Sequence, residues 1–202
     1  MKKIPTVFCR NYETDRLVRN EVVPGCEWVL NGEGIATIKW DGTCCMVKDG
    51  KLYRRYDCKR GKKPPVGFIP AQEPDRNTGH WPGWVLVSPE RKDDKHHWNA
   101  VVRYLDAYGN VALPEGTYEL VGTHFQGDPY NLKNAAPGGT DIFLRHAGDD
   151  DIIADCPRDF DGIKRFLKGF YHEGIVFHRG NGDMAKIKRV DFGYEWNGKV
   201  KK

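Results

Sequence analysis

Lys39 heads the run Lys39-Trp40-Asp41-Gly42-Thr43, and an ε-amine just ahead of an Asp-Gly pair is a candidate nucleophile. The chemistry it suits is attack on the α-phosphorus of a nucleotide, which leaves a nucleotide monophosphate on the lysine nitrogen. By itself the run is weak evidence, because ordinary residue frequencies produce K-x-D-G in roughly one chain in ten of this length. Two later pieces give it weight: Glu173-Gly174-Ile175-Val176 and Lys186-Ile187-Lys188. Glu173 offers a hard oxygen ligand for magnesium or manganese. Lys186, Lys188 and Arg55 offer positive charge for the α-phosphate and the departing pyrophosphate. Glu119 can accept hydrogen bonds from a ribose hydroxyl pair. An attacking lysine must be neutral, and free lysine is protonated at pH 7. Nearby cations and partial burial are the means of lowering its pKa. Each residue alone also reads as a wet strand face, a turn or a surface ion pair, and only the ordered set supplies nucleophile, metal ligand, sugar contact and phosphate clamps together.

The elements that position these groups are legible as short apolar runs. Ile35-Ala36-Thr37-Ile38 predicts a strand delivering Lys39, and Asp49-Gly50 between two strand-like runs predicts a hairpin. From Cys58 to Trp84 the abundance of Lys, Pro and Gly predicts one long irregular connection, a place for substrate contact or a simple insertion. His97 to Tyr108 spaces Trp98, Val101, Val102 and Leu105 as a packed helix. Gly116 to Gly122 reads as a strand carrying Glu119. Asp159 is a candidate cap for a helix that buries Phe160, Ile163, Phe166, Leu167 and Phe170. Ile175 to His178 and Ala185 to Lys188 then pair across a turn, and alternation puts Lys186 and Lys188 on one face. Antiparallel strands with a few helices predict an α+β protein, read as one domain over residues 1–202.

Composition bounds the setting. The 202 residues are 39% hydrophobic and 30% charged, which suits a globular protein. No apolar run could span a bilayer and no secretory signal opens the chain, so no membrane partner and a cytoplasmic location are expected. The six cysteines, at 9, 26, 44, 45, 58 and 156, lack zinc-type spacing, so free thiols and no structural zinc are expected. Net charge is only +4, but Arg54, Arg55, Lys59, Arg60, Lys62 and Lys63 cluster, and Lys199, Lys201 and Lys202 close the chain. Such clusters can follow a phosphate backbone.

The stretches KWDGTCC, RRYD, YELVG followed by QGDPY, HEGIVFH and AKIKR resemble the ATP-dependent RNA ligases of vertebrate type, as do PGWV at Pro82 to Val85 and HHWNAVV. The resemblance runs from about Gly25 to Trp196, and its most specific mark is the doubled cysteine. It implies an ATP-grasp-like nucleotidyltransferase domain, two antiparallel sheets with flanking helices, that joins an RNA 5′-phosphate to a 3′-hydroxyl in RNA repair, using ATP as AMP donor with Mg2+ or Mn2+. It makes Lys39 the adenylated nucleophile, with Asp41 and Gly42 shaping its loop and Arg55 touching the nucleotide or the incoming 5′-phosphate. Glu119 would bind the ribose, Glu173 the metal, and Lys186 and Lys188 the α-phosphate. An aromatic over the base is implied between Glu119 and Glu173, with Phe143 the candidate and His146 the alternative; both also read as core residues. Many DNA ligases and capping enzymes carry Arg where this chain has Cys44, which counts against those identities. The chain ends soon after Lys188, so no appended oligonucleotide-binding barrel is expected, and the protein is expected to be a monomer. The rival readings are a DNA ligase or guanylyltransferase of the same superfamily, and a catalytically silent nucleic-acid-binding module.

Overall fold

A computed structural model describes residues 2–136 and 139–197; the closing Lys199, Lys201 and Lys202 lie outside them. In chain order the elements are β1 (Phe8–Arg10), β2 (Val18–Val22), α1 (Glu27–Leu30), β3 (Ile35–Lys39), β4 (Thr43–Lys48), β5 (Lys51–Cys58), β6 (Ile69–Pro70), β7 (Trp81–Leu86), α2 (Lys95–Ala107), β8 (Gly116–Gly122), β9 (Asp141–Arg145), α3 (Phe160–Gly169), β10 (Gly174–His178) and β11 (Met184–Lys188). The pairings named below are antiparallel. This is the mixed α and β composition that the sequence predicts. No helix among the described residues is long and apolar enough to cross a membrane. None of the six cysteines is in a disulfide.

The chain resolves into two compact units. One holds Gly42–His146, joined by the first residues of the chain. Its six-stranded sheet runs β6-β7-β5-β4-β8-β9. Strand alternation gives the sheet two different faces. Cys45 and Leu120 point to one face and pack with Ala100 of α2, Phe125, Leu52 and Phe143. On that side Arg54 reaches the fully buried Asp94 at 2.5 Å. Arg54 is therefore spent on an internal ion pair, whereas Lys59, Arg60, Lys62 and Lys63 stay exposed.

Two expectations are corrected in this unit. The segment from Cys58 to Trp84 is not one irregular connection: it contains β6 and most of β7, and β7 lies between β6 and β5 in the sheet. Proline masks the strand because it lacks an N–H, yet Pro82 sits opposite Asp57, and its carbonyl accepts from Ala71 N–H at 3.0 Å. The second correction concerns α2, which begins at Lys95. Its inner stripe is His97, Ala100, Val101 and Tyr104, leaving Trp98 and Val102 about 40% exposed (38% and 40%). The helix turns its small Ala100 toward the sheet and its bulkier Trp98 outward.

The other unit comprises Ile4–Asp41 and the described residues from Ala147 onward. Its three-stranded sheet runs β11-β10-β3, beside the β1-β2 pair. Ile175, Phe177, Ala185, Ile187 and Ala36 face a core shared with Val7, Phe8, Trp28 and α3. Helix α3 follows the sequence expectation. Asp159 caps it by accepting from Gly162 N–H at 2.8 Å, Ile163 and Leu167 are fully buried, and Lys164, Arg165 and Lys168 face water. Both edges of the sheet are covered. Lys186 N–H donates to Pro5 carbonyl and Val7 N–H to Lys186 carbonyl, each at 2.9 Å, while Ile153 N–H donates to Ala36 carbonyl on the far edge, also at 2.9 Å. Backbone bonding on every strand fixes the register that aims the lysines.

Candidate active site

Lys39 is the last residue of β3, and the register sets Gly174 of β10 opposite both Lys39 and Lys188. Three positions across the sheet thus read lysine, glycine, lysine. The glycine contributes no side chain, so the two flanking lysines can lean toward Glu173, the residue just before β10. Lys39 Nζ donates to Glu173 Oε2 and Lys188 Nζ to Oε1, the latter at 2.9 Å. Lys39 Nζ also donates to the Trp40 carbonyl at 3.2 Å. Glu173 is buried, which alone would raise its pKa, but Lys39 and Lys188 outweigh burial and hold it below the ordinary value. Gly174 has a second role. A Cβ there would collide with the Ile187 carbonyl and stand 2.8 Å from Lys188 Cα. Gly174→Ala is therefore expected to destabilise the protein by about 1–3 kcal/mol, the usual cost of overpacking, as read by urea denaturation.

Lys186 sits one row along, opposite Val176, on the same face as Lys188. Burial, then Lys39 and Lys188, lower its pKa from 10.5 to about 8. A base whose pKa falls on folding costs stability while it is protonated. Below about pH 8 the cost is complete, and it disappears as pH rises toward 10.5, because there the unfolded chain binds the extra proton. Lys186→Met should therefore be more stable than wild type at pH 7, by roughly 1–3 kcal/mol. Denaturation midpoints collected from pH 7 to 10.5 should converge.

The ends of this cluster are braced by residues that sequence reasoning did not single out. Asp191, fully buried, accepts from Arg10 at 2.7 Å and from Lys188 N–H at 3.0 Å, which fixes the end of β11. Trp40 Nε1–H donates to Asp151 at 3.0 Å, and Trp196 Nε1–H donates to Asp41 at 2.8 Å. Asp41 is thus held by an indole from near the chain end. Trp40 and Asp41 belong to the Lys39 motif, but their partners Asp151 and Trp196, like Asp191, belong to none, so only the fold could reveal these pairs.

Glu119 belongs to the other unit. On the sheet face opposite α2, ladder partners place Trp84, Arg55, Cys44, Glu119 and Leu144 in one row across β7, β5, β4, β8 and β9. Arg55 lies over the Trp84 ring at 5.0 Å. Burial lowers the Arg55 pKa, and Cys44 and Asp57 oppose it; a guanidinium stays charged regardless. Gly42 N–H donates to Glu119 Oε1 at 3.1 Å. That bond needs a glycine: a Cβ at position 42 would strike the Leu120 carbonyl and lie 2.7 Å from Val121 Cγ1.

His146 Nε2 lies 3.0 Å from Glu119 Oε2, and its Nδ1 lies 3.0 Å from Thr117 Oγ1. Phe143 is opposite Leu120, on the face away from Glu119, with its ring edge-on to Tyr118 (6.2 Å) and Tyr104 (6.3 Å). Of the two candidate aromatics, only His146 shares the Glu119 face. The site residues thus fall into two groups: Lys39, Asp41, Glu173, Lys186 and Lys188 in one unit, and Gly42, Arg55, Glu119, Phe143 and His146 in the other.

Glu173 has the hard oxygen donors that magnesium or manganese prefers, and each of its oxygens now accepts from an ammonium group. A metal ion bound to this carboxylate would have to displace one or both of those ammonium contacts.

No protein-family profile matches the chain. Among curated proteins, RNA ligase 1 of Rattus norvegicus is 27% identical over 270 residues, covering 96% of this chain and 82% of that protein. RNA ligase 1 of Mus musculus is 27% identical over 275 residues, covering 96% and 81%. RNA ligase 1 of Pongo abelii is 28% identical over 227 residues, covering 80% and 68%.

Proposed function

We propose, taking as premise a similarity that supports assigning this chain to an RNA ligase family, that it is an ATP-dependent ligase joining RNA 5′-phosphate and 3′-hydroxyl ends. The observation that carries the reading is Lys39 at the end of β3, sharing the Glu173 carboxylate with Lys188 and having Lys186 on the same sheet face. On this reading the chain is a catalytic domain of the ATP-grasp-like nucleotidyltransferase type, working as a monomer in the reducing cytoplasm.

Lys39, as the free amine, attacks the α-phosphorus of ATP. A nitrogen–phosphorus bond forms, the bond to the β-phosphate oxygen breaks, and pyrophosphate leaves. Lys186 and Lys188 offset charge on the α-phosphate. Glu119 accepts from the ribose hydroxyls, His146 flanks the sugar or base, and Arg55 meets the nucleotide or the RNA 5′-phosphate. The RNA 5′-phosphate then takes AMP from Lys39, regenerating the amine. Finally the 3′-hydroxyl attacks that phosphate and expels AMP, sealing the strand. Magnesium or manganese, held through Glu173, would supply charge neutralisation at the phosphates.

The test is ligation of a 5′-phosphorylated RNA, run beside nicked DNA and with α-labelled GTP in place of ATP. RNA joined with ATP supports the reading. Sealing of DNA alone, or labelling by GTP alone, would move the chain to the rival enzymes of the superfamily. Salt-sensitive RNA binding with no covalent adenylate would leave only a binding module.

A further inference from the structure

Cys44 and Cys45 are neighbours in sequence with opposite fates. Cys45 is buried in the core beneath α2, and burial pushes its thiol well above the ordinary value, as suits an inert packing residue. Cys44 turns to the other face of the sheet, directly opposite Glu119. His146, just past β9, reaches the same place, its N–H bonded to the Thr117 carbonyl at 3.0 Å. One sulfur, one imidazole nitrogen and one carboxylate oxygen from these residues all lie within 4.8 Å of one another. Ligand atoms around one tetrahedral zinc stand roughly 3.5 Å apart given its bond lengths, so closure needs movements of about an ångström.

We propose that Cys44, Glu119 and His146 form a site for a thiophilic divalent ion of the zinc class. Three features beyond proximity favour it. The donor set of thiolate, imidazole and carboxylate suits zinc and its neighbours, and is a poor set for magnesium. Thr117 Oγ1 stands against His146 Nδ1 and can accept a hydrogen bond from its N–H, the tautomer that turns the Nε2 lone pair toward Glu119 and Cys44. Arg55 occupies the next position in the row and its charge favours the Cys44 thiolate. Binding releases the thiol proton to solvent, and the fourth position remains for water. The three ligands are scattered along the chain, so no sequence spacing announces them.

The site also has a consequence that rests on the proposed function: it occupies the carboxylate assigned to the ribose, so this ion and ATP exclude one another. The test uses the full chain, stripped of metal. Titration with zinc is expected to give one ion per chain, and cobalt substitution a thiolate-to-cobalt charge-transfer band. Cys44→Ser and His146→Ala should each weaken zinc by about tenfold or more and Cys44→Ser should lose the band, while Cys156→Ser behaves as wild type. Absence of stoichiometric binding, or wild-type binding by a folded Cys44→Ser or His146→Ala protein, overturns the site. Stoichiometric zinc should block the ATP-dependent mass gain of wild type; zinc that binds without blocking it overturns the exclusion. A chain that gains no AMP even when stripped of zinc and given magnesium refutes the ligase reading instead, and the site is then judged on zinc and cobalt binding alone.

Discussion

Lys39→Ala incubated with ATP and magnesium is expected to show no change in intact mass, whereas wild type gains one AMP. On the proposed mechanism the loss should be complete, because Lys39 Nζ is the atom that would form the bond to phosphorus, not a group that assists it. The neighbouring amines do not substitute. Lys188 starts from a different strand and Lys186 from a different row, and orienting a nucleophile within a few tenths of an ångström of its target accounts for much of such a rate. The fold should survive, because Lys39 ends a strand whose backbone pairing with β10 does not need the side chain. Glu173 keeps Lys188 as a partner. Circular dichroism and a denaturation midpoint near wild type would exclude trivial unfolding. A fully active Lys39→Ala protein would sink the mechanism. Absence of mass gain in wild type would do the same, provided manganese had been tried and the protein shown not to carry AMP as purified.

Much of the local structure in both units was legible because its signals are local. The β4–β5 hairpin announces itself through Asp49-Gly50, α3 through Asp159 and its apolar stripe, and the shared face of Lys186 and Lys188 through simple alternation. What could not be read depends on register between distant strands. That Gly174 separates Lys39 from Lys188 follows from pairing across more than a hundred residues of sequence. That His146 stands on the Glu119 face and Phe143 on the opposite one is decided by a single step along β9, and a one-residue slip exchanges them. Strand β7 was hidden for another reason: Pro82 and Gly83 are turn formers by composition, and here they occupy a strand flanked on both sides. The buried Asp94 and Asp191 were invisible because a lone aspartate gives no hint of the arginine that will meet it.

Glu173→Gln should damage stability and chemistry together, and the two effects can be separated. The carboxylate side chain is 7% exposed and balances two ammonium groups whose side chains are 20% and 28% exposed. Glutamine keeps the shape and removes the charge, leaving Lys39, Lys186 and Lys188 to repel one another across one sheet face. Removing one partner of a fully buried pair costs about 3–5 kcal/mol; both lysines retain some water, so a loss of about 2 kcal/mol is expected at pH 7. The pH dependence has a definite sign. A carboxyl whose folded pKa lies below its ordinary 4.5 contributes stability that is present above that value. The contribution is lost as pH falls through the folded pKa. The advantage of wild type over Glu173→Gln should therefore be full at pH 6 and shrink on acidification below 4.5. Adenylation should fall on the order of 100-fold, because Lys39 loses the acceptor that orients it. Glu173→Asp restores the charge but not the reach, so it should recover much of the stability and little of the rate. Equal denaturation midpoints for wild type and Glu173→Gln at pH 6 would show that the ion pairs do not stabilise the fold. Unchanged adenylation in a folded Glu173→Gln protein would show that Glu173 does not position the nucleophile.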